Sequence, residues 1–505
     1  MIRASMGATR GRLVRQLLVE SSLLAAASCI AGCLFAFFGL KGVVAAIPPD
    51  MIPSEVVIAL RPGTLLLAMG VSVVTSLFCG LAPALHAVPR DLHTGLTGNA
   101  KGTSGDFRHG KLRSCLVVAE VALSIVLLVA TGLMVRTLHA LEQVDTGFDP
   151  ANVVYAQLSF PEGRYDSADQ KRAFFRKALD RVASIPGVIA STEATSFPPY
   201  SFGWTEVAVP GKTHSEPWGT TFDMCSEGYF QTLGRHLLRG RLLSRSDVES
   251  ARRVTVINQT LARAYFGNEN PIGQTIKFSS FEEYAADWPR DTYFEIIGVI
   301  ADAKNHGLQD APKPEVYFAY TLTGTGSRGI VVRTAGNSNS ILASLRREIA
   351  AVDPDVAISE AGSIESLLGR WYYAGPRFTI VILGTFAGIG LLLVLIGVFS
   401  VMAYAVSLQT HEIGIRIALG AQQKDVLCMV LKKGLALIIT GTMTGFVVSV
   451  AMTRLMASQI WGVSTTDPWT FSAVAAVILA AGLTACLFPA RRAAQVDPMV
   501  SLRYE

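Results

Sequence analysis

The sequence is poor in charged residues and almost free of cysteine in its longest polar stretch. Only 16% of its 505 residues are Asp, Glu, Lys or Arg, whereas 50% are hydrophobic. This is more apolar surface than a soluble domain of that size needs for its core, so an ordinary soluble protein is excluded. Of the seven cysteines, only Cys225 falls between residues 140 and 375. That region cannot hold an internal disulfide and must be stabilised by its own core.

Motifs for a catalytic or metal site are also missing. Gly211-Lys212-Thr213 looks like the end of a phosphate-binding loop, but Glu206 stands where that motif requires glycine. His411 and Glu412 begin like a zinc-binding helix, but Ile415 occupies the position of the second histidine. We therefore expect no enzymatic activity in this chain, and no cofactor or metal of its own.

The apolar residues are concentrated in six segments, each of about 20 residues, which is long enough to cross the hydrocarbon layer of a membrane. The six segments are, approximately, residues 17–40, 64–86, 112–139, 378–404, 431–456 and 469–489. Between the third and fourth lies a polar region, residues 140–375, with alternating strand-like and helix-like stretches. The sequence thus predicts an α-helical transmembrane bundle of six spans, surrounded by lipid, with an inserted α+β domain outside the cytoplasm.

Strands are predicted at residues 153–160, 294–300 and 329–333, and helices at 166–185 and 340–352. A short amphipathic helix is predicted to begin near Asn258, followed by a turn at Asn270-Pro271-Ile-Gly273.

Lys and Arg residues lie mainly in the loops on one side of these spans. They are Arg3, Arg10, Arg12 and Arg15 before the first span, Arg90, Lys101, Arg108, Lys111 and Arg113 in the second loop, Arg416, Lys424, Lys432 and Lys433 between the fourth and fifth, and Arg491, Arg492 and Arg503 after the sixth. The other side carries little beyond Lys41, Arg61 and Arg454. The positive-inside rule then predicts a membrane protein with both termini in the cytoplasm and residues 140–375 on the outer side of the membrane. The net charge of +5 reflects this asymmetry, so we expect no nucleic-acid partner.

The N-terminal segment has a second interpretation, because Ile30-Ala31-Gly32-Cys33 after a basic start imitates a lipoprotein signal. Apolar residues continue beyond Cys33 through Leu40, however, and Glu20 interrupts the run before it. A membrane span is the favoured interpretation.

The chain contains an internal repeat. The segment from Arg3 to Ala8 matches that from Arg416 to Ala421 at an offset of 413 residues, and each copy ends in a Pro-Ala pair, Pro83-Ala84 and Pro489-Ala490. Such a repeat is typical of a membrane unit present twice. We assign residues 1–111 to a partial first unit, and residues 112–139 and 376–505 to a second unit.

Small residues four apart recur in the spans, a spacing that lets helices approach closely within or between subunits. The pairs are Gly384 and Gly388, Gly441 and Gly445, and, at the repeat offset, Ser28 and Gly32. Glu120 is the one carboxylate well inside a span and is by default a functional candidate. It lies about two turns from the end of its span, where Arg113 or water is expected to satisfy it.

The segment Thr410 to Leu427 alternates charged and apolar residues and turns at Gly420-Ala421. This composition predicts a short helix at the membrane face that presents polar residues to a partner, followed by a helix that begins with Lys432 and Lys433. A plain interfacial connector is the alternative.

Glu412-Ile-Gly-Ile-Arg416-Ile-Ala-Leu-Gly420-Ala421 resembles the signature loop of the FtsX-like permeases, the class that includes the macrolide exporter MacB. Three further segments are together similar to the MacB-type periplasmic core domain. They are Val256 to Phe266, taken as a helix, Asn270-Pro271-Ile-Gly273, and Ile297-Gly298-Val299. The presence of two permease halves further resembles the duplicated permeases described as orphans in acidobacteria.

This resemblance implies the membrane subunit of an ABC transporter, coupled to a separate ATPase subunit that binds the ATP. The docking loop would contain Glu412, Arg416, Gly420 and Ala421, with Arg3, Gly7 and Ala8 as its counterpart in the first copy. The periplasmic domain would do mechanical work on a substrate outside the membrane. A periplasmic adaptor or hydrolase, and further subunits in a homo- or hetero-oligomer, are other implied partners.

One departure from the family pattern affects these expectations. A complete family unit has one span, an outward domain and three more spans, whereas the first copy here has two spans and begins inside the docking motif. We expect either a start of translation upstream of Met1 or a truncated, inactive permease. The alternative function is a membrane-anchored regulator of a periplasmic enzyme, as proposed for FtsX.

Overall fold

A computed structural model describes residues 10–46, 59–86, 105–201, 203–212, 218–278, 292–322, 328–336 and 338–495. The chain divides into two compact units. The membrane unit comprises Met1–Arg136 and Pro376–Glu505, and the inserted domain comprises Thr137–Gly375.

In the described part of the chain, three helices precede the inserted domain: α1 (Arg10–Ala46), α2 (Pro62–His86) and α3 (Gly105–Glu142). Helices α1 and α2 pair as a hairpin, in which the Ser76 hydroxyl donates a hydrogen bond to the Ser21 carbonyl at 3.3 Å. Large apolar side chains on α1, such as Leu23 and Phe35, are more than half exposed. Such an apolar surface suits contact with lipid or with another helix.

The described residues of the inserted domain form eleven strands and several helices. In chain order these are β1 (Val153–Ser159), α4 (Ala168–Ala183), β2 (Val188–Ala194), β3 (Gly203–Ala208), β4 (Trp218–Cys225), α5 (Tyr229–Thr232), β5 (Leu237–Gly240), α6 (Arg245–Glu249), β6 (Val254–Asn258), α7 (Gln259–Leu261, continued by a π-helical turn Ala262–Phe266), β7 (Thr275–Phe278), β8 (Tyr293–Ile300), β9 (Glu315–Ala319, followed by a 3₁₀ turn Tyr320–Leu322), β10 (Arg328–Thr334), α8 (Ser338–Val352), β11 (Ala357–Ser363) and α9 (Ile364–Leu368, continued by a π-helical turn Gly369–Tyr373). The predicted strands at 153–160, 294–300 and 329–333 and the predicted helices at 166–185 and 340–352 are confirmed as β1, β8, β10, α4 and α8.

The strands form one sheet of order β11-β1-β10-β2-β4-β3-β7-β8-β6-β9, in which β5 also pairs with β8. The additional parallel pairing of β4 with β9 closes the last six strands of this path into a ring. The first four strands are antiparallel, with Tyr155 of β1 opposite Val331 of β10. The sheet therefore has an open antiparallel half and a closed half.

Helices α4 and α8 cover the open half of the sheet. Phe174, Phe175, Ala178 and Val182 lie on one face of α4 and are buried with side chains of β1 and β10. A capping box between Ser167 and Gln170 fixes the start of α4.

Two groups of buried charged side chains stabilise the interior of the inserted domain. Arg328 of β10 donates to Glu193 of β2 at 2.7 Å, and both side chains are 1% exposed. In the closed half, the Tyr317 hydroxyl donates to Glu315 at 2.8 Å and accepts from Arg235 at 3.0 Å. Buried charges are costly unless they are paired, so Arg328 holds β10 against β2 and Arg235 holds the segment before β5 against β9.

Four helices of the membrane unit follow the inserted domain: α10 (Ala374–Leu408), α11 (Thr410–Ala418), α12 (Gln423–Leu455) and α13 (Pro468–Ala494), with a 3₁₀ turn Ala457–Gln459 between the last two. Helix α13 begins with Asp467 as its N-cap, which accepts from the Thr470 amide at 2.8 Å, and with proline at its first position.

Helix α3 lies in the core of these four helices. Its residues at every fourth position, Val117, Val121, Ile125, Val129 and Leu133, are all buried. They share a core with Val394 and Val398 of α10, Val430 and Ile438 of α12, and Val474 and Ile478 of α13. A stripe at this spacing is one face of a helix that packs against several neighbours.

Among the described residues, five helices are long and apolar enough to span a membrane: Val19–Ala45, Arg113–Glu142, Ile364–Leu408, Gln423–Leu455 and Pro468–Ala494. Helix α2, which contains the predicted span 64–86, qualifies only as a shorter apolar helix over Pro62–Ser76. The α-helical bundle with an inserted α+β domain is confirmed, while a sixth span stays a prediction.

Two helix boundaries differ from those predicted. Val256 to Asn258 belong to strand β6, because Val256 and Ile257 are fully buried between β8 and β9, and the helix begins only at Gln259. The helix predicted to begin at Lys432 begins at Gln423. The Asp425 carboxylate accepts from the Gln422 amide at 3.0 Å, which stabilises a helix start ahead of the apolar stretch.

Candidate functional site

The predicted docking segment forms an elbow between two long helices, and we use that name for residues 409–422. Helix α11 carries an ion pair between Glu412 and Arg416, one turn apart, at 2.6 Å. Both side chains are about half exposed, at 53% and 50%. An exposed pair of this kind stabilises a helix by only about 0.3–0.5 kcal/mol, so both charged groups remain accessible to a partner.

The turn of the elbow depends on Gly420. Its φ of +98° lies in the left-handed region, where a residue with a Cβ atom is strained. The amides of Gly420 and Ala421 donate to the carbonyls of Ile417 and Arg416, both at 3.0 Å. This closes α11 with a glycine turn that satisfies its last carbonyl groups.

The two faces of α11 differ. Ile413 is fully buried in the core of the membrane unit, whereas Ile415 is 40% exposed and Leu419, beside the turn, is 83% exposed. Sequence analysis did not single out Leu419. Its exposure near the accessible Arg416 makes it part of the free face of the elbow, and its place in the motif Arg416-Ile-Ala-Leu-Gly420 was the available signal.

The elbow is tied to the helix that follows it. The Arg416 guanidinium donates to the Met429 sulfur at 2.9 Å, and the Lys433 ammonium donates to the Gln409 side chain at 2.9 Å. Helix α11 is therefore linked to α12 by side-chain contacts as well as by the turn.

Of the predicted packing residues, Gly441 and Gly445 lie where α12 meets α3. A Cβ atom added at Gly441 would lie 2.7 Å from the Cβ of Val121, and one added at Gly445 would lie 2.9 Å from that of Ile125. Such distances are too short for a side chain, so both glycines allow the helix backbones to approach closely.

The other predicted packing residues lie in more open surroundings. A Cβ atom at Gly384 would lie 3.7 Å from Thr131, an ordinary contact, whereas none of the structure lies within 4 Å of one at Gly388 or Gly32. Ser28 lines a cleft of about 410 Å³ between α1 and α2. Arg3, Gly7 and Ala8 lie outside the described residues.

Glu120 lies at a helix contact, and Arg113, one of the two partners expected for it, is engaged elsewhere, so its contact with water stays a prediction. The Arg113 guanidinium is stacked over the ring of Tyr404, 4.3 Å from its centroid, because an arginine at a membrane interface gains from an aromatic face. Glu120 faces the backbone of Gly397, where an added Cβ would lie 2.5 Å from Oε2.

The apparent phosphate loop is engaged in other contacts. Lys212 forms an ion pair with Glu269 at 2.9 Å and donates to the Tyr265 carbonyl at 3.2 Å. No group of His, Cys, Asp and Glu within the described residues has an arrangement that could hold a metal ion.

The bundle of apolar helices, the inserted α+β domain and the charged elbow that follows α10 together agree with the architecture expected of a transporter permease. The model of the MacB-like periplasmic core domain matches residues 114–352, and that of the FtsX-like permease C-terminal matches residues 1–91 and 384–498. The chain belongs to the ABC transporter permeases that combine these two domains.

The chain is similar to the macrolide export ATP-binding/permease protein MacB of Bdellovibrio bacteriovorus, with 27% identity over 348 residues, 65% of this chain and 50% of that protein. It is also similar to the ABC transporter permease YknZ of Bacillus subtilis, with 26% identity over 65% of this chain and 78% of that protein. The chain thus spans half the length of this MacB relative. The crystal structure of the periplasmic region of MacB from Actinobacillus actinomycetemcomitans matches 44% of this chain and 92% of that one, with 20% identity and a TM-score of 0.30.

Proposed function

We propose that the chain is the membrane subunit of an ABC-type exporter in which a separate ATPase subunit binds and hydrolyses ATP. The elbow docks onto that ATPase, and its displacement moves the helices and the inserted domain to export or extract a substrate. In this proposal the chain needs no cofactor of its own.

The observation that supports this proposal is the exposure of one face of α11 combined with its coupling to α12. Glu412, Arg416 and Leu419 are accessible to a partner, while Ile413 is anchored in the core. Helix α12 in turn packs closely on α3, which continues as one helix to Glu142 at the start of the inserted domain. A push at the elbow therefore has a continuous helical route towards that domain.

We further propose that the protein lies in the inner membrane of a bacterium with both termini in the cytoplasm and residues 140–375 in the periplasm. The distribution of Lys and Arg among the loops supports this orientation. The elbow would then face the compartment that contains ATP.

The test is association with an ABC ATPase encoded in the same genome. We expect the purified chain to show ATP hydrolysis only with that ATPase, and Arg416→Glu to weaken their association about 30-fold, as for loss of an interfacial arginine. Arg454→Glu is the matched control, because Arg454 is an exposed arginine at the far end of α12, the helix that follows the elbow. It should leave association unchanged.

A charge exchange separates docking from local helix stability. If Arg416 acts only through Glu412, the double variant Glu412→Arg with Arg416→Glu restores the ion pair and recovers ATPase association. Our proposal predicts that the double variant remains defective, since the partner meets charges of the wrong sign. Recovery by the double variant, or unaltered binding by Arg416→Glu, would contradict docking at this surface.

A further inference from the structure

The membrane unit contains two helical hairpins that correspond residue by residue. Helix α12 begins at Gln423, 413 residues after the first residue of α1, and α13 begins at Pro468, 406 residues after the first residue of α2. We call α1–α2 the first hairpin and α12–α13 the second hairpin. The first offset is that of the Arg3 and Arg416 motifs, and the second is that of Pro83 and Pro489, so each position of one hairpin has a defined equivalent in the other.

The second hairpin is covered by α3 along its length. Gly441 meets Val121, as described above, and a Cβ atom added at Gly132 of α3 would lie 2.7 Å from the Thr470 methyl group. Near the start of α13, Asp467 forms an ion pair with Arg136 of α3. The covering helix thus makes apolar contacts in the middle of the hairpin and a charged contact at the start of α13.

The equivalent face of the first hairpin is exposed among the described residues. Ser28, Gly32, Thr64 and Arg61 occupy the positions of Gly441, Gly445, Thr470 and Asp467, respectively. Ser28, Thr64 and Arg61 are exposed, and nothing lies within 4 Å of a Cβ atom at Gly32. The small residues that admit a helix in the second hairpin are therefore matched in the first, but no described helix occupies that face.

The charge before the second helix of each hairpin is reversed, since Arg61 in the first hairpin stands where Asp467 stands in the second. Asp467 caps α13 and accepts from both the amide and the hydroxyl of Thr470, at 2.8 and 2.7 Å. Arg61 cannot accept these bonds, and a cation at a helix N-terminus is unfavourable because of the helix dipole. A carboxylate from a covering helix would offset both effects, since it would pair with Arg61 and complement the start of α2.

We propose that the first hairpin binds a transmembrane helix that packs on Ser28 and Gly32 as α3 packs on Gly441 and Gly445, and that carries a carboxylate opposite Arg61. This occupant is not α3 of a second copy of the chain, because Arg136 would then face Arg61 with the same charge. The inference is independent of the proposed function.

A separately expressed helix tests this proposal. The probe is residues 105–142 as a tagged single-span peptide with Cys115→Ala and Val121→Cys, carrying either Arg136 or Arg136→Glu. The full chain carries Ser28→Cys in a background whose native cysteines are alanine. Both are produced in the same membranes, and the yield of the disulfide between them is measured.

We expect the Arg136→Glu probe to give about tenfold more disulfide than the Arg136 probe, as for replacement of a repulsive charge pair by an attractive one. In a chain with Arg61→Asp the preference should reverse, which shows that the effect arises at Arg61 and not from altered insertion of the probe. Preference of the unaltered chain for the Arg136 probe would identify a second copy as the occupant and overturn the proposal. Equal yields, or no disulfide with either probe, would also overturn it.

Discussion

Asp247 shows how a single side chain makes the inserted domain sensitive to acid. The carboxylate is 2% exposed, accepts from Arg241 at 3.1 Å and accepts from the Ser244 amide at 2.9 Å. Burial would raise the pKa of Asp247, but the hydrogen bonds from Arg241 and Ser244 outweigh it and hold this pKa well below its usual range. The carboxylate therefore stabilises the domain above the unfolded-state pKa of about 4, and this stability is lost as the pH falls below it.

We expect Asp247→Asn to lower the free energy of unfolding at neutral pH by about 2 kcal/mol. Because the variant has no carboxylate to protonate there, its stability should fall less between pH 5 and pH 3. Thermal unfolding of the purified chain, followed by tryptophan fluorescence across this pH range, measures both effects.

Glu249→Gln is the control for Asp247→Asn, since the Glu249 side chain, which forms the ion pairs, is itself 43% exposed. Such surface pairs contribute little to stability, so the variant should keep the acid response of the parent. An unchanged acid response in Asp247→Asn would show that Asp247 is not the group responsible.

At the scale of helices, the contact between α3 and α12 depends on two small residues. We expect Gly441→Leu to destabilise the membrane unit by about 1–3 kcal/mol, because the side chain would overlap Val121 and force the helices apart. The thermal unfolding midpoint of the detergent-solubilised protein, and the fraction that remains monodisperse on heating, measure this loss.

Gly388→Leu is the matched control for that variant, since it makes the same substitution in a membrane helix where nothing lies within 4 Å. It should leave the unfolding midpoint within a degree or so of the parent. Equal losses in both variants would mean that glycine content, and not the contact with α3, sets the stability of these helices.

Sequence patterns identified the long elements well because their signals are strong. Apolar runs predicted the membrane helices, and the apolar spacing in α4 predicted the helix that begins after Ser167. Boundaries failed where a local contact decided them. The start of α12 at Gln423 depends on the hydrogen bond to Asp425, and strand β6 depends on pairing with β8 and β9. Neither contact is visible from hydropathy alone.

At the scale of the whole chain, the repeat and the FtsX-like signature could be read from the sequence because both rest on residue identity, while the docking role of that signature stays a prediction. The surroundings of those residues could not be read from the sequence. Gly441 and Gly388 belong to similar glycine pairs, yet only Gly441 lies against another helix. Likewise, Leu419 gained significance only when its 83% exposure beside Arg416 was known. Exposure and helix contacts are set by tertiary packing, which the spacing of small residues does not specify.

The central claim is that the elbow lies in the cytoplasm and is covered by an ATPase. Labelling of Leu419→Cys in a cysteine-free background with a membrane-impermeant maleimide tests it most directly. Our account predicts labelling in inside-out membrane vesicles, no labelling in right-side-out vesicles, and protection when the ATPase is added. Labelling in right-side-out vesicles, or a rate in inside-out vesicles that the ATPase does not change, would contradict it.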